Sequence, residues 1–147
     1  GSFCSGGRYD ALASDGRTTY PGVGISIGLS RLLALLFSQD LVRATRKTPA
    51  AVLVAVNDEE SRARSVAVAT ALRSRGIACE IAPAAARFGK QIRYAERRGI
   101  PFVWFPGAAG NDQVKDIRSG EQLDADATTW ICPSEDLHPR VVATAED

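Results

Sequence analysis

Histidine and cysteine are scarce in this chain, and their scarcity excludes several kinds of site. Among 147 residues there is one histidine, His138, and there are three widely spaced cysteines, Cys4, Cys79 and Cys132. An odd number of cysteines without a Cys-x-x-Cys pair supports neither a disulfide framework nor a zinc site. A single histidine argues against metal ligation and against a Ser-His or Cys-His catalytic pair. The sequence therefore predicts no metal site.

The chain also lacks a strong net charge and a long apolar run. Its 18 lysines and arginines nearly balance 17 aspartates and glutamates, so any basic surface must be local. The most apolar stretch, Val23–Phe37, is interrupted by Ser26, Ser30 and Arg31 and is too short to span a bilayer. Because no signal peptide is recognisable either, the sequence predicts a cytoplasmic protein without a membrane partner.

Two glycine-rich segments, Ser5–Asp10 and Pro21–Leu32, stand near the start of the chain. The second alternates small and β-branched residues over Val23–Ile27, which predicts a strand, and then continues as a predicted helix over Leu29–Phe37. Glycine at alternate strand positions leaves one sheet face bare, so a flat ligand could lie on the backbone. Arg31, just beyond that face, could fork onto phosphate oxygens. A buried strand and helix with glycines for close packing is the alternative interpretation.

From Ala50 onward the sequence alternates between strand and helix patterns. Short apolar runs predict strands over Ala51–Val56, Ala78–Ile81 and Phe102–Phe105. Two helices are predicted between these strands. The first is capped by Asn57 and Asp58, has Glu59 and Glu60 in its first turn and ends near Arg75, and the second covers Arg87–Arg98.

A turn at Ser119-Gly120, flanked by Gln113–Arg118 and Glu121–Asp124, predicts a hairpin after the third strand. The resulting βαβαβ order with a hairpin predicts an α/β fold, a mixed five-stranded sheet flanked by helices. Residues 43–49 are short, polar and basic and end in proline, so a linker is expected between residues 1–42 and 50–147. Trp130 and Ile131 are expected to anchor the tail, and Leu137–Val142 is expected to form a last turn of helix or strand.

The predicted helix Arg87–Arg98 has the most informative surface. It carries five basic residues and one acidic residue in a chain whose net charge is only +1. Phe88, Ile92 and Ala95 are spaced to face the sheet, and the basic residues then share the outer faces with Gln91 and Tyr94. Such a strip offers phosphate contacts, a stacking ring and an amide that could contact a base in an RNA loop. A solvated helix face is the alternative.

The glycine segments resemble the end of a class II aminoacyl-tRNA synthetase catalytic domain, that of the histidyl-tRNA synthetase family. Gly6–Asp10 matches a Gly-Gly-Arg-Tyr-Asp segment that lines the histidine pocket, and Gly28–Leu32 matches the third class motif, with Ser30 where glutamate is usual. The resemblance implies that residues 1–42 are a strand–strand–helix fragment of the class II antiparallel catalytic core. It makes Arg31 the catalytic arginine on ATP. The implied histidine- and ATP-binding residues are Gly6, Gly7, Arg8, Tyr9, Gly28 and Arg31.

Phe88–Phe102 is similar to a helix and strand of the anticodon-binding domain shared by histidyl-, threonyl-, prolyl- and glycyl-tRNA synthetases. Val114–Gln122 resembles the hairpin of the histidyl branch. The other class motifs have no counterpart, which implies the carboxy-terminal part of a larger synthetase. The expected tRNA-binding residues are Arg87, Lys90, Gln91, Arg93, Tyr94, Lys115, Asp116 and Arg118.

The activity that this resemblance implies is that of a histidine–tRNA ligase, which forms histidyl-adenylate from histidine and ATP and then charges tRNA. It implies a homodimer through the catalytic core, with ATP and Mg²⁺ used by the full-length enzyme and none bound by this chain alone, which we expect to be inactive. A standalone RNA-binding module and a synthetase-like paralogue without aminoacylation activity remain as alternatives. Two others fit less well. The regulatory paralogue of ATP phosphoribosyltransferase lacks the second domain, and a flavodoxin-like module would need a less acidic loop than Asn57–Glu60.

Overall fold

The computed structural model describes residues 2–144, which divide into two compact units. Within the described residues the first unit contains residues 2–43 and 142–144, and the second is Ala44–Val141. No helix within residues 2–144 is long and apolar enough to cross a membrane.

The first unit is built from a strand pair and a helix, as the glycine-rich segments predict. Strands β1 (Cys4–Tyr9) and β2 (Gly22–Ile27) pair antiparallel, with Gly7 opposite Gly24. Helix α1 (Leu29–Ser38) follows β2 directly, and none of its residues is buried. The predicted strand–strand–helix order is therefore confirmed, but this unit by itself contains little core.

The second unit contains the five-stranded mixed sheet that the sequence predicts. Its strands are β4 (Val52–Val54), β5 (Cys79–Ile81), β6 (Phe102–Phe105), β7 (Gln113–Asp116) and β8 (Gln122–Asp124). The spatial order is β5-β4-β6-β7-β8. Central strand β4 runs parallel to β5 and β6, whereas β7 and β8 continue the sheet antiparallel as a hairpin. Short strand β3 (Val42–Ala44) precedes the sheet in sequence.

The apolar core lies on both faces of this sheet. Val52 and Val54 of β4 pack on one face with Trp104, while Leu53 packs on the other face with Val103. Successive residues of a strand point to opposite faces, so an uninterrupted apolar strand is buried on both sides. This burial explains why the run Ala51–Val56 contains no polar residue.

Helices α2 (Arg62–Ser74), α3 (Phe88–Arg98) and α4 (Ser134–Leu137) complete the second unit. The predicted start of α2 is wrong, because Glu59 and Glu60 lie before the helix instead of in its first turn. Asp58 uses a carboxylate oxygen to accept a hydrogen bond from the Ser61 backbone N–H (2.7 Å), which closes a turn ahead of the helix. In contrast, α3 begins and ends within one residue of the prediction.

Residues 43–49, which the sequence predicts as a linker, are partly structured. Strand β3 extends through Ala44, and Thr48 is buried. The Arg46 guanidinium donates hydrogen bonds to four backbone carbonyls, those of Thr48, Pro49, Asp136 and Leu137. An arginine that binds carbonyl groups far apart in sequence holds its segment against the tail, so this stretch is packed and is not a free spacer. The exact domain boundaries stay a prediction.

The tail is anchored by one of its two predicted residues. The Trp130 ring meets the Phe102 and Trp104 rings edge-on, with centroid distances of 5.3 and 5.7 Å. Ile131 is 81% exposed, so its predicted anchoring role is wrong. Residues Leu137–Val142, predicted as a last turn of helix or strand, include the end of α4 at Leu137 and the start of strand β9 (Val141–Ala143). Strand β9 pairs with β3.

Candidate functional site

The ring of Tyr9 lies over the paired glycines Gly7 and Gly24 of the β1–β2 hairpin. A Cβ atom added to Gly7 or Gly24 would lie 3.5 or 3.1 Å from the Tyr9 ring, so that ring lies over both glycines. A Cβ at Gly6 would lie only 2.6 Å from the Gly24 carbonyl oxygen, which leaves no room for a side chain there. The predicted bare sheet face is therefore wrong: the half-exposed ring of Tyr9 covers it and could itself contact a flat ligand.

The predicted cations of the first unit lie at its surface. Arg31 is exposed at the start of α1, and its Nη1 donates to the Ser2 carbonyl (2.6 Å). The Gly28 N–H donates to the Phe3 carbonyl (2.7 Å), which fixes the turn from β2 into α1. A guanidinium has five N–H donors, so Arg31 keeps donors for a phosphate. Arg8 instead pairs with Asp10 (2.8 Å).

Helix α3 presents a row of cations to solvent. Arg87, Lys90, Arg93 and Arg97 are all exposed, and within residues 2–144 none of them forms an ion pair with a carboxylate. Lys90, Arg93 and Arg97 on α3, with Arg87 just before the helix, make a local positive surface on a nearly neutral chain. On the opposite face, Ala95 is buried as predicted.

Gln91 was expected on the exposed face, and the structure corrects that expectation. The side chain is 4% exposed. Its Oε1 accepts from the Val56 N–H (3.0 Å), and its Nε2 donates to the carbonyls of Val56 (2.8 Å) and Ala86. The side-chain amide thus gives the Val56 backbone, just after β4, the hydrogen bonds that a neighbouring strand would otherwise supply. Gln91 is a core residue and is not available to contact a base.

Tyr94 belongs to a half-buried polar network centred on Glu80. The Glu80 carboxylate accepts hydrogen bonds from the Thr48 hydroxyl, the Tyr94 hydroxyl (3.1 Å) and Arg98 Nη2 (2.8 Å). Burial alone would raise the pKa of Glu80, but these three donors outweigh it and hold the pKa below its usual range. The Arg98 guanidinium also lies over the Tyr94 ring, 5.6 Å from its centroid. The ring is therefore fixed in place, and one of its faces is covered.

The hairpin residues that are predicted to contact tRNA already form hydrogen bonds and ion pairs within the protein. Lys115 Nζ donates to the Gly120 carbonyl (3.0 Å). Arg118 pairs with Asp116 (2.9 Å) and Asp136 (2.8 Å), and its guanidinium lies over the Phe102 ring. The Arg118 hydrogen bond holds the pKa of Asp116 below its usual range. Because 54% of the Arg118 side chain is exposed, it can still contact a ligand.

A cavity of about 530 Å³ lies between the carboxy-terminal end of α3 and the hairpin. Glu96 and Gly99 line one side, and Ile117 and Arg118 line another. Sequence reasoning missed Arg46, Asp136 and Arg140, which also line the cavity, because they lie in the predicted linker and in the tail. Neither segment has a periodic pattern that places its side chains beside the hairpin.

Comparison with known proteins identifies similar chains. The sequence model described as "Anticodon binding domain" matches residues 50–127. The histidine–tRNA ligases of Cutibacterium acnes and Micrococcus luteus are 62% and 54% identical, over 98% and 100% of this chain. Each match covers 33% of the relative, so the chain spans about a third of the length of these proteins.

Two solved structures share the fold. The histidyl-tRNA synthetase from Nostoc sp. PCC 7120 is 36% identical with a TM-score of 0.57, over 86% of this chain and 32% of its own. The apo histidyl-tRNA synthetase of S. aureus, at 24% identity and a TM-score of 0.50 over 84% of this chain and 37% of its own, supports the fold alone. These matches confirm the resemblance that the glycine segments and α3 indicate.

Proposed function

The chain belongs to the anticodon binding domain family, and we propose that it is the carboxy-terminal part of a histidine–tRNA ligase. In this proposal Ala44–Val141 binds tRNA, and the first unit supplies the last catalytic motif. One observation carries the proposal, the 62% identity to the Cutibacterium acnes ligase over 98% of the chain, which includes both units. A standalone RNA-binding module would not need the first unit.

The surface of the first unit supports a larger catalytic core. Val23 and Ile25 of β2 are 86% and 75% exposed, and apolar side chains of α1 are exposed as well. A two-stranded hairpin is marginally stable alone, and contiguous exposed apolar surface marks a surface that another segment covers. In the proposed enzyme the rest of the catalytic sheet packs on these residues.

The proposed reaction has two steps, adenylation of histidine by ATP and transfer of the acyl group to tRNA. Negative charge builds on the α-phosphoryl group during the first step, and an exposed guanidinium such as that of Arg31 stabilises it. Tyr9, on its glycine pair, borders the amino acid. Among residues 2–144 there is no group of three or more His, Cys, Asp or Glu side chains that could hold a metal ion.

The proposed tRNA contacts are the exposed cations of α3 and the hairpin beside the 530 Å³ cavity. The set comprises the cations Arg87, Lys90, Arg93, Arg97, Lys115 and Arg118, together with Tyr94 and Asp116. Gln91 is removed from it because its amide is used in the core. A cytoplasmic homodimer, paired through the catalytic core, completes the proposal.

The test uses the full-length protein that carries this chain. We expect histidine-dependent exchange of pyrophosphate into ATP and charging of a histidine-accepting tRNA, with no charging of a tRNA for another amino acid. Tight tRNA binding without exchange would favour the paralogue that lacks aminoacylation activity. Exchange without tRNA binding would contradict the role given to the second unit.

A further inference from the structure

The cavity of about 530 Å³ at the carboxy-terminal end of α3 has no ligand in the proposed function. Its lining runs from Thr45 to Arg140, so it lies entirely within the second unit. The volume falls in the range of roughly 300–1,000 Å³ that is usual for small-molecule sites. The charged residues of the lining are three arginines and three carboxylates, Arg46, Arg118, Arg140, Glu96, Glu135 and Asp136. Because these charges balance, the lining does not favour a ligand of high net charge.

The apolar part of the cavity is fixed by backbone hydrogen bonds. Ile100 is 1% exposed, and its neighbour Pro101 is buried as well. The Ile117 N–H donates to the Pro101 carbonyl (2.9 Å), which joins the end of β7 to the segment before β6. A surface that is already ordered loses little entropy when a ligand binds. The cavity is therefore preorganised to accept an apolar group.

Two of the arginines are already bound within the protein. Arg118 donates two hydrogen bonds to the Asp136 carboxylate (2.9 and 2.8 Å), so these two charges neutralise each other. Arg46 is held by four backbone carbonyls, which leave its positive charge without a carboxylate partner. The other charged residues of the lining form no ion pair within residues 2–144; they are Glu96, Glu135 and Arg140.

Opposite charges thus line one cavity without pairing with each other. Glu96 is exposed in the last turn of α3, where the partial negative charge of a helix end also favours a cation. Arg140 is exposed in the tail, and its guanidinium suits a carboxylate. A phosphate group would meet the like charges of Glu96 and Glu135, which disfavours a nucleotide. A ligand that carries an ammonium, a carboxylate and an apolar group matches this lining.

We propose that this cavity binds a free α-amino acid with an apolar side chain. Glu96 binds its ammonium group and Arg140 binds its carboxylate, while its side chain packs against Ile100 and Ile117. None of these four residues belongs to the substrate or tRNA sites of the proposed ligase. The inference therefore goes beyond the proposed function and does not depend on it.

Isothermal titration calorimetry of the full-length protein with leucine tests the proposal. Leucine is a zwitterion with an apolar side chain and is not a substrate of the proposed ligase. We expect saturable binding of one leucine per chain, and we expect AMP not to displace it. Absence of leucine binding, or displacement of leucine by AMP, overturns the proposal. Charging of a histidine-accepting tRNA tests the proposed function separately.

A variant and a modified ligand together test the contact with the ammonium group. Glu96→Gln should lower the affinity for leucine about tenfold, the scale for one lost hydrogen bond to a charged group. N-acetyl-leucine lacks the ammonium group, so it should bind Glu96→Gln no more weakly than the parent. Glu60→Gln, the same change at an exposed position outside the cavity, is the control. An equal loss of affinity for both ligands overturns the assignment.

The contact with the carboxylate is tested in the same way. Arg140→Gln should lower the affinity for leucine about tenfold, whereas leucinamide, which lacks the carboxylate, should bind this variant no more weakly than the parent. Arg17→Gln removes one exposed charge from the loop between β1 and β2 and is the control. Neither Glu96 nor Arg140 forms a side-chain ion pair within residues 2–144, so both variants should fold as the parent does. An unchanged affinity of either variant for leucine overturns the proposal.

A dipeptide distinguishes a free amino acid from a peptide as the ligand. Leucyl-leucine carries the same two charges, but its peptide unit places them further apart. We expect it to bind more weakly than leucine, because a single amino acid brings both charges within the reach of Glu96 and Arg140. Tighter binding of the dipeptide would make the ligand a peptide and would overturn the amino-acid assignment.

Discussion

At the scale of single residues, the α3 side chains divide between structure and surface in a way that residue type does not reveal. Gln91 and Arg93 are both polar and are two positions apart, yet Gln91 completes three hydrogen bonds in the core, whereas Arg93 is exposed. The difference follows from position around the helix, because residues two apart project about 200° from each other.

The role of Gln91 predicts a large effect on stability. Gln91→Leu keeps a similar volume but leaves the Val56 N–H and carbonyl without partners in the core. Buried unpaired backbone groups each cost about 1–3 kcal/mol, so we expect the free energy of unfolding to fall by about 2–6 kcal/mol for the two groups. Urea unfolding followed by circular dichroism measures it. Arg93→Leu is the control, and a loss as large in that variant would contradict the assignment.

The exposed guanidinium of Arg31 predicts an effect on chemistry in the proposed full-length enzyme. Arg31→Ala should slow adenylate formation by about two to three orders of magnitude, the scale for one lost transition-state donor. Arg31→Lys should not restore the rate, because a point charge cannot reproduce the fork of a guanidinium. Single-turnover adenylation measures both variants. A lysine variant as fast as the parent would contradict the role of Arg31 in binding phosphate and would leave it a structural role, its hydrogen bond to the Ser2 carbonyl.

At the scale of elements, α3 joins a buried face and a cationic face on one short helix. Ala95 and Gln91 hold it against the sheet, and the exposed cations are then presented from a rigid support. The Glu80 network adds a second attachment, because it fixes Tyr94 and Arg98 to β5. Binding residues on a rigid element lose less entropy on binding than those of a mobile loop.

Charge reversal on α3 should weaken RNA binding without regard to sequence. Arg93→Glu and Arg97→Glu remove phosphate contacts, so affinity should fall alike for a histidine-type anticodon stem-loop and for one with a scrambled loop. The slope of log affinity against log salt should become shallower by about one for each lost contact. Fluorescence anisotropy at two or more salt concentrations measures both quantities, with Arg17→Glu as the single-charge control. A loss confined to the histidine-type loop would mean that these arginines contact bases.

The start of α2 predicts a pH dependence. The Glu59 carboxylate accepts two hydrogen bonds from Arg62 (2.6 and 2.7 Å) and one from the Ala85 N–H (3.0 Å). The Arg62 hydrogen bonds lower the pKa of Glu59 from 4.5 to about 2. Because the folded pKa is depressed, its contribution to stability is present above about pH 4.5 and is lost as the pH falls toward 2.

The corresponding experiment compares Glu59→Gln with the parent. We expect the parent to be more stable near neutral pH and the difference in unfolding midpoint to shrink as the pH falls from about 6 to about 2.5. Thermal unfolding at several pH values measures it. Glu60→Gln removes the same charge one position along the chain and is the control. A difference that stays constant with pH would mean that the carboxylate titrates alike in the folded and unfolded states.

At the scale of the whole molecule, the two units differ in how complete they are. The second unit has a continuous core on both faces of its sheet, whereas no residue of α1 is buried. The exposed apolar residues of β2 and α1 need a covering surface that residues 2–144 do not provide within the first unit.

This difference predicts that the 147-residue chain does not activate histidine by itself. An adenylation site must hold both substrates in line, and Arg31 with the Tyr9 ring supplies only part of that arrangement. Histidine-dependent exchange of pyrophosphate into ATP should be undetectable for the chain and measurable for the full-length protein. Exchange by the chain alone would show that the first unit is a sufficient site.

The sequence by itself determined the order of elements, the mixed sheet and the two resemblances. These features depend on local patterns: an apolar run such as Ala51–Val56, the helical spacing of α3 and the turn at Ser119-Gly120. Each pattern involves residues close together in the chain, so it can be interpreted without knowing what lies opposite. The glycine-rich segments could be recognised for the same reason, because each motif consists of consecutive residues.

Tertiary structure alone decided which polar side chains are available to a ligand. Gln91 binds the backbone of Val56, 35 positions away, and Arg46 binds a carbonyl 90 positions away. Helical periodicity assigns residues to faces of a helix, but the neighbouring strand and loop decide which face is covered.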